Sequence, residues 1–161
     1  MFVQDEETLK SLISPYQQKI LAFALYLVGG DRDKAYEVAA SSFAEAIRKG
    51  YSLEKGDVFF TRVISVVFGK SRDIKTMPNL DEIGSMDSSA EEKRSLRIVQ
   101  TALVKLSFET KALLLLRDQL HLPYKDISAI VGISENNARV QIEEARFSLR
   151  KEIKEILNRE G

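Results

Sequence analysis

Hydrophobic residues recur every three or four positions along most of the chain, which is the spacing of an amphipathic helix. The clearest repeat comprises Ala35, Val38, Ala39, Ser42, Phe43, Ala46 and Ile47. Before it, a mostly apolar segment runs from Tyr16 to Val28 and stops at Gly29-Gly30, where glycine can take the left-handed conformation that ends helices. Ser14 and Pro15 suit its N-cap and first turn. We therefore expect two successive helices, the first of them central because it is apolar nearly all round.

A third segment, from Val58 to Phe68, is rich in β-branched residues that also suit a strand. We interpret it as a helix because its neighbours are helical. From Asp73 to Ser89 the chain becomes polar and loses its period, which indicates a linker. The predicted organisation is a first domain at 1–75, a linker at 76–89 and a second domain at 90–161.

The second block also carries helical start and stop signals. Ser89 with Glu92 three residues later has the spacing of a capping box, and Ser107 can begin the next helix. The stretch His121-Leu122-Pro123 interrupts that helix.

A short helix is predicted from Tyr124 to Val131, ending at Gly132, and the last helix from near Ser134. The apolar stripe of this last helix comprises Ala138, Ile142, Ala145, Leu149, Ile153 and Ile156. The sequence shows no pair of strands. The predicted fold class is therefore all-α, with two small helical domains joined by the linker.

Composition narrows the function classes. The 161 residues include no cysteine and one histidine, so neither a disulfide framework nor a thiolate or multi-histidine metal site can form. No pattern supplies a nucleophile with a base and an orienting partner, so we expect neither an enzyme nor a cofactor. Asp5, Glu6 and Glu7 are opposite in charge to the start of a secretory signal, and the run 20–30 is too short to span a bilayer. We expect a cytoplasmic protein with no membrane partner.

Residues 124–146 have the pattern of a helix-turn-helix. The positions that would build it are inward-facing Ile127 and Val131, small Ser128 and Ala129, Gly132 in the turn, Ile133 at the corner, and Ala138 and Ile142 on the second helix. Such a unit places the start of its second helix in the DNA major groove, where Asn and Arg make bidentate contacts with base edges. The candidate base-reading residues are Asn136, Asn137, Arg139 and Gln141. From spacing alone, the alternative is a helical hairpin that only packs.

Residues 103–150 strongly resemble the C-terminal DNA-binding domain of bacterial RNA polymerase sigma factors of the extracytoplasmic-function class. The first block is similar to the polymerase-binding and promoter-melting domain of that family, through 20–30 and 33–43. The resemblance implies a transcription initiation factor that binds core RNA polymerase and directs it to promoter DNA, with an anti-sigma protein as a further partner. The candidate DNA-binding residues are Lys125, Ser134, Glu135, Asn136, Asn137, Arg139, Gln141 and Arg146. Ser134 and the neighbouring helix amides suit a phosphate.

The resemblance also implies roles for the first domain. In the family, an acidic pair followed by a glutamine contacts the polymerase, and the candidate polymerase-binding residues here are Tyr36, Glu37, Ala40 and Phe43. A tryptophan-bearing helix of the family lies near the opened DNA strand, and the candidate melting residues here are Phe59, Phe60, Arg62, Val66, Lys70 and Arg72. Val66 and Lys70 stand where the family has asparagine and aspartate. We therefore expect promoter melting to be the function most affected by sequence divergence.

Charge balance predicts weak binding to free DNA, because binding to a polyanion depends on cations that displace counterions. Residues 1–75 hold 11 basic and 10 acidic residues, 76–104 hold 3 and 5, and 105–161 hold 10 and 9. Neither domain has the marked basic excess that is typical of an autonomous DNA-binding domain. A polymerase that holds the DNA-reading domain in place would compensate by raising its effective concentration.

Two other functions fit the same sequence. A sigma mimic would bind an anti-sigma partner without initiating transcription, and the altered residues Tyr36, Ala40, Val66 and Lys70 favour it. A conventional helix-turn-helix regulator would dimerise to read paired half-sites. We expect instead a monomer when free, because packing on the preceding helices explains the apolar stripe of the last helix.

Overall fold

The structure, a computed structural model, describes residues 16–51, 54, 56–74 and 90–160, and all regular elements within these ranges are helical. The α-helices are α1 (Gln17–Leu27), α2 (Arg32–Arg48), α3 (Gly56–Arg72), α4 (Ala90–Lys105), α5 (Phe108–Leu114), α6 (Tyr124–Val131) and α7 (Glu135–Glu160). A π-helical turn, Leu115–Gln119, follows α5 directly. The all-α prediction is confirmed, and no helix in the described ranges is long and apolar enough to cross a membrane.

The helix starts follow the side-chain caps that the sequence offers. Asp31 accepts a hydrogen bond from the Lys34 amide at 3.1 Å at the start of α2. Ser107 accepts one from the Thr110 amide at 3.3 Å at the start of α5. Each cap satisfies an amide that has no partner inside its helix. The caps expected at Ser14-Pro15 and at Ser89 with Glu92 lie outside the described residues and side chains.

Helix α3 contains the β-branched residues that, from the sequence alone, also suit a strand. It is helical because its apolar residues are covered on more than one side: α1, α2 and α6 all pack against it. Val63, Ile64 and Val67 are fully buried in this layer. Tertiary burial therefore outweighs the modest helix propensity of β-branched residues.

The two halves of the chain share one apolar core. Buried side chains of α1 and α3, such as Phe23 and Ile64, belong to the same cluster as Leu116 and Ile142 of the second half. At the edge of this contact the rings of Phe68 and Phe108 lie 5.4 Å apart. The sequence permits both a compact and an extended pair of domains, and the structure has the compact pair. The predicted linker, 76–89, lies outside the described residues.

Tyr26 of α1 carries a polar contact across this interface. Its side chain is partly buried and packs against Leu103, Leu114 and Ala145 of the second half. Its hydroxyl is hydrogen-bonded to Gln100, which is only 3% exposed. Burial raises the pKa of the Tyr26 phenol, and the hydrogen bond with Gln100 offsets part of that effect.

We expect Tyr26→Phe to lower the free energy of unfolding by about 1 kcal/mol, because Gln100 loses a partner inside the core. The wild-type contribution is complete below about pH 10 and falls as the pH rises through the raised folded pKa, since the unfolded phenol ionises first. Urea denaturation between neutral and alkaline pH measures both effects. Exposed Tyr36→Phe is the control, and equal stability of the two variants would contradict the prediction.

Two buried hydroxyls, of Ser42 and Ser71, have no hydrogen-bond partner among the described residues. Both serines are fully buried, Ser42 in α2 and Ser71 in α3. A buried polar group without a partner loses its hydration without compensation. These positions therefore cost stability.

Replacing Ser42 with alanine should raise the free energy of unfolding by about 1 kcal/mol, because it removes an unpaired buried hydroxyl. Chemical denaturation measures the change. Ser41→Ala is the matched control: it is the next residue of the same helix, it is exposed, and its hydroxyl donates to the Val38 carbonyl at 3.2 Å. Both changes gain the same helix propensity. A loss of stability in Ser42→Ala relative to Ser41→Ala would show that the Ser42 hydroxyl has a partner.

Candidate nucleic-acid interface

Helices α6 and α7 form the predicted helix-turn-helix. Gly132 has φ 81°, the left-handed conformation that the turn requires and that residues with a Cβ rarely adopt. The turn is closed by two contacts: the Ile133 amide donates to the Ser128 carbonyl at 3.2 Å, and the Ser128 hydroxyl donates to the Ile133 carbonyl. Ile127, Ala138 and Ile142 are fully buried between the helices. The angle between α6 and α7 is thus held by the packing that the sequence pattern predicts.

One part of that pattern is placed differently. Ala129 is exposed rather than packed against α7. It lies on the side of α6 that faces α3, where the two domains enclose a groove of roughly 620 Å³. The close approach of the two helices therefore depends on Ser128. The expectation that small Ala129 also permits this approach is wrong.

The candidate base-reading residues share one exposed end of α7. Asn136, Asn137, Arg139 and Gln141 are all exposed, as is the neighbouring Glu135. Ser134 caps the helix by accepting a hydrogen bond from the Asn137 amide at 3.1 Å. Lys125, at the start of α6, is exposed as well. The geometry leaves these side chains free to approach DNA.

Arg146 differs from this group. Its Nε donates to the Asp118 carboxylate at 3.0 Å, and its two terminal nitrogens pair with Asp118 and Glu143. These contacts raise the pKa of Arg146. Arg146 thus links α7 to the π-helical turn, and because two carboxylates pair with it, it does not offer a free guanidinium to DNA.

The candidate polymerase-binding residues lie on α2. Tyr36 is 53% exposed, and Glu37 and Ala40 are exposed beside it. Phe43 is partly buried, and its ring lies 6.4 Å from that of Phe59 in the core. The exposed surface is therefore formed by Tyr36, Glu37 and Ala40. Phe43 packs α2 against the core.

The aromatic melting candidates are core residues. Phe59 and Phe60 are 2% and 7% exposed, and the Phe60 ring stacks on Tyr16 at 4.6 Å. A ring enclosed in this way cannot stack on a DNA base. Their proposed melting role is corrected accordingly: both stabilise the first domain, because the hydrophobic face of α3 turns inward.

Three of the other melting candidates, Arg62, Val66 and Lys70, line one groove beside α3, but burial or an ion pair limits each of them. Val66 is partly buried, Lys70 pairs with Glu45 at 3.6 Å, and Arg62 pairs with Glu54 at 3.6 Å. Arg72 pairs with Glu109 across the domain interface at 3.7 Å. Sequence reasoning missed Glu45, which also pairs with Arg48 and Lys49 and so neutralises much of this basic surface.

Comparison with known proteins agrees with this geometry. Residues 96–148 match the family model for sigma-70, region 4. Among solved structures, the chain is similar to the sigma factor RpoE of Bartonella quintana, solved in complex with the anti-sigma factor NepR, with a TM-score of 0.67 and 18% sequence identity. The similarity covers 90% of this chain and 98% of that chain. A search of curated protein sequences found no match.

The helix-turn-helix and the two packed helical domains thus have the fold of a solved sigma factor. Within that fold, residues 96–148 match the sigma-70 region 4 family model. The resemblance seen in the sequence is confirmed.

The Asp118–Arg146 pair generates a prediction about DNA affinity. Asp118→Asn removes one acidic charge and leaves Arg146 paired with Glu143 alone, so we expect tighter binding to duplex DNA and a salt dependence steeper by about one phosphate contact. Fluorescence anisotropy between about 50 and 200 mM salt measures this slope. Glu155→Gln is the matched control, because it releases Arg159 at the far end of α7. Equal slopes for the two variants would contradict the prediction.

Proposed function

We propose that this protein is a transcription initiation factor that binds core RNA polymerase and directs it to promoter DNA. The observation that carries this proposal is the exposed set Asn136, Asn137 and Arg139 at the start of α7, within a region 4 helix-turn-helix. In such a unit these side chains enter the major groove and read base edges. The role requires no cofactor and no catalysis by this chain, and its place of action is the cytoplasm.

The first domain supplies the polymerase contact in this proposal. Tyr36, Glu37 and Ala40 form an exposed surface on α2, on the side away from the core. Tyr36 is a large aromatic side chain at 53% exposure, of the kind enriched in protein interfaces. This surface therefore supports binding to a protein partner.

Polymerase is required for tight promoter binding because the chain carries as many acidic as basic residues, 24 of each. Near the base-reading residues, Glu143 and Glu144 are exposed on α7 and repel phosphates. Only a few cations can therefore displace counterions from DNA. Holding the second domain on the polymerase raises its local concentration at the promoter and offsets this weakness.

Strand opening is the least supported step. Among the six candidate melting residues, both aromatic rings are buried and all three cations are paired with glutamates, so they do not offer the exposed aromatic and basic track that binds single-stranded DNA. We expect transcription to depend on negatively supercoiled templates, in which part of the opening energy is already stored.

The divergence of the melting residues also favours the second candidate function, a sigma mimic that binds an anti-sigma partner. The similar RpoE was solved bound to an anti-sigma factor. A mimic needs only the surface that its partner binds, so its melting residues are free to diverge. Specific transcription would exclude the mimic. Anti-sigma binding without specific transcription would establish the mimic.

The test is in vitro transcription with core polymerase on linear and supercoiled promoter fragments. We expect the double variant Asn137→Ala, Arg139→Ala to lose specific transcripts by about tenfold or more, since each bidentate base contact is worth about 1–3 kcal/mol. It should retain polymerase binding, measured by co-elution. The control, Asn158→Ala with Arg159→Ala, changes the same residue types at the exposed far end of α7. Unchanged promoter selection in the first double variant would refute the DNA-reading role.

A further inference from the structure

Tyr124, the first residue of α6, is enclosed by two arginines. The guanidinium carbon of Arg117 lies 4.2 Å from the centre of the Tyr124 ring, and that of Arg139 lies 4.3 Å from it. Both guanidinium groups therefore lie at cation–π distance from the same ring. This brings together three residues from the π-helical turn, α6 and α7.

The Arg117 side of this stack is held in place. Arg117 donates from a terminal nitrogen to the Leu122 carbonyl at 2.9 Å. The π-helical turn that carries it is closed by a hydrogen bond from the Leu120 amide to the Leu115 carbonyl, also 2.9 Å. The ring of Tyr124 therefore rests on a side chain whose own position is determined by the backbone.

The Arg139 side faces solvent. Stacking on an aromatic ring uses the flat face of a guanidinium and leaves its five N–H donors, which lie in the plane, available for other contacts. Among the described residues, no protein group accepts a hydrogen bond from Arg139, whereas Arg146 on the same helix is paired with Asp118 and Glu143. Arg139 is thus both oriented and available.

We propose that Tyr124 is a positioning residue that orients Arg139 for bidentate contact with a guanine in the major groove. The inference rests on the proposed function. An exposed arginine samples many rotamers and loses that freedom when it binds. The stack restricts the side chain before DNA arrives and so favours the one base whose O6 and N7 match the guanidinium edge.

The test uses holoenzyme assembled from core polymerase and the full chain, with duplex promoters that vary the base read by Arg139. That position is found as the one where Arg139→Ala abolishes discrimination. We expect Tyr124→Leu to reduce the preference for guanine there by about three- to fivefold, the size of an exposed cation–π contact. Tyr124→Phe keeps the ring and should retain the preference.

Two further measurements separate positioning from a structural role. In an Arg139→Ala background, Tyr124→Leu should have no further effect on the base preference. In the free protein, the Arg139 Hδ protons should show an upfield ring-current shift in the NMR spectrum, present in Tyr124→Phe. This shift is measured on folded wild-type protein, so the proposal stays testable if Tyr124→Leu fails to fold.

The outcomes distinguish this inference from the proposed function. If Arg139→Ala loses base discrimination but Tyr124→Leu keeps the preference, only the positioning role is overturned. The same conclusion follows if Arg139→Ala loses discrimination and the ring-current shift is absent. Unchanged promoter selection in Arg139→Ala overturns both.

Discussion

The structure depends on one apolar layer, formed where α1, α2 and α6 all pack against α3. Val63, Ile64 and Val67 are fully buried there, and burial of such side chains stabilises a fold by about 25 cal/mol per Å² of apolar surface. Because α3 belongs to the first half and α6 to the second, the same layer that folds the first domain also holds the second domain against it. Tyr26 and Gln100 add a hydrogen bond to this contact.

This layer also decides which residues are left for binding. Phe59 and Phe60 lie where aromatic melting residues are expected, and packing uses both of them. Ion pairs with Glu45, Glu54 and Glu109 take up most cations of α3. Among the candidate binding residues, those left exposed and without an ion pair are Tyr36, Glu37 and Ala40 on α2, Lys125 on α6 and the residues in the first turns of α7. This division fits a factor that relies on the polymerase for affinity and contributes the choice of promoter.

Several polar side chains are buried in the core, where they lose their contact with water. Ser42 and Ser71 have no hydrogen-bond partners among the described residues, and Lys111 is only 6% exposed, with burial lowering its pKa. A buried lysine contradicts the usual expectation that charged residues lie at the surface. In α5, Lys111 and the three residues that follow it, Ala112, Leu113 and Leu114, are all buried. Consecutive residues point to different sides of a helix, so only the tertiary contacts reveal that the Lys111 side is covered as well.

The sequence by itself determined most of the helices, the starts of two of them at Ser107 and Ser134, and the helix-turn-helix around Gly132, because periodicity, capping and turn conformation depend on residues close together in the chain. Only the tertiary structure decided that the domains pack together, that Ala129 is exposed, and that Phe59 and Phe60 are buried. It also distinguished two arginines of one helix. Arg146 is paired with Asp118, which is 28 positions away, while Arg139 rests on the ring of Tyr124. Partners so distant in sequence leave no local pattern, so their pairing follows from the packing of the whole chain.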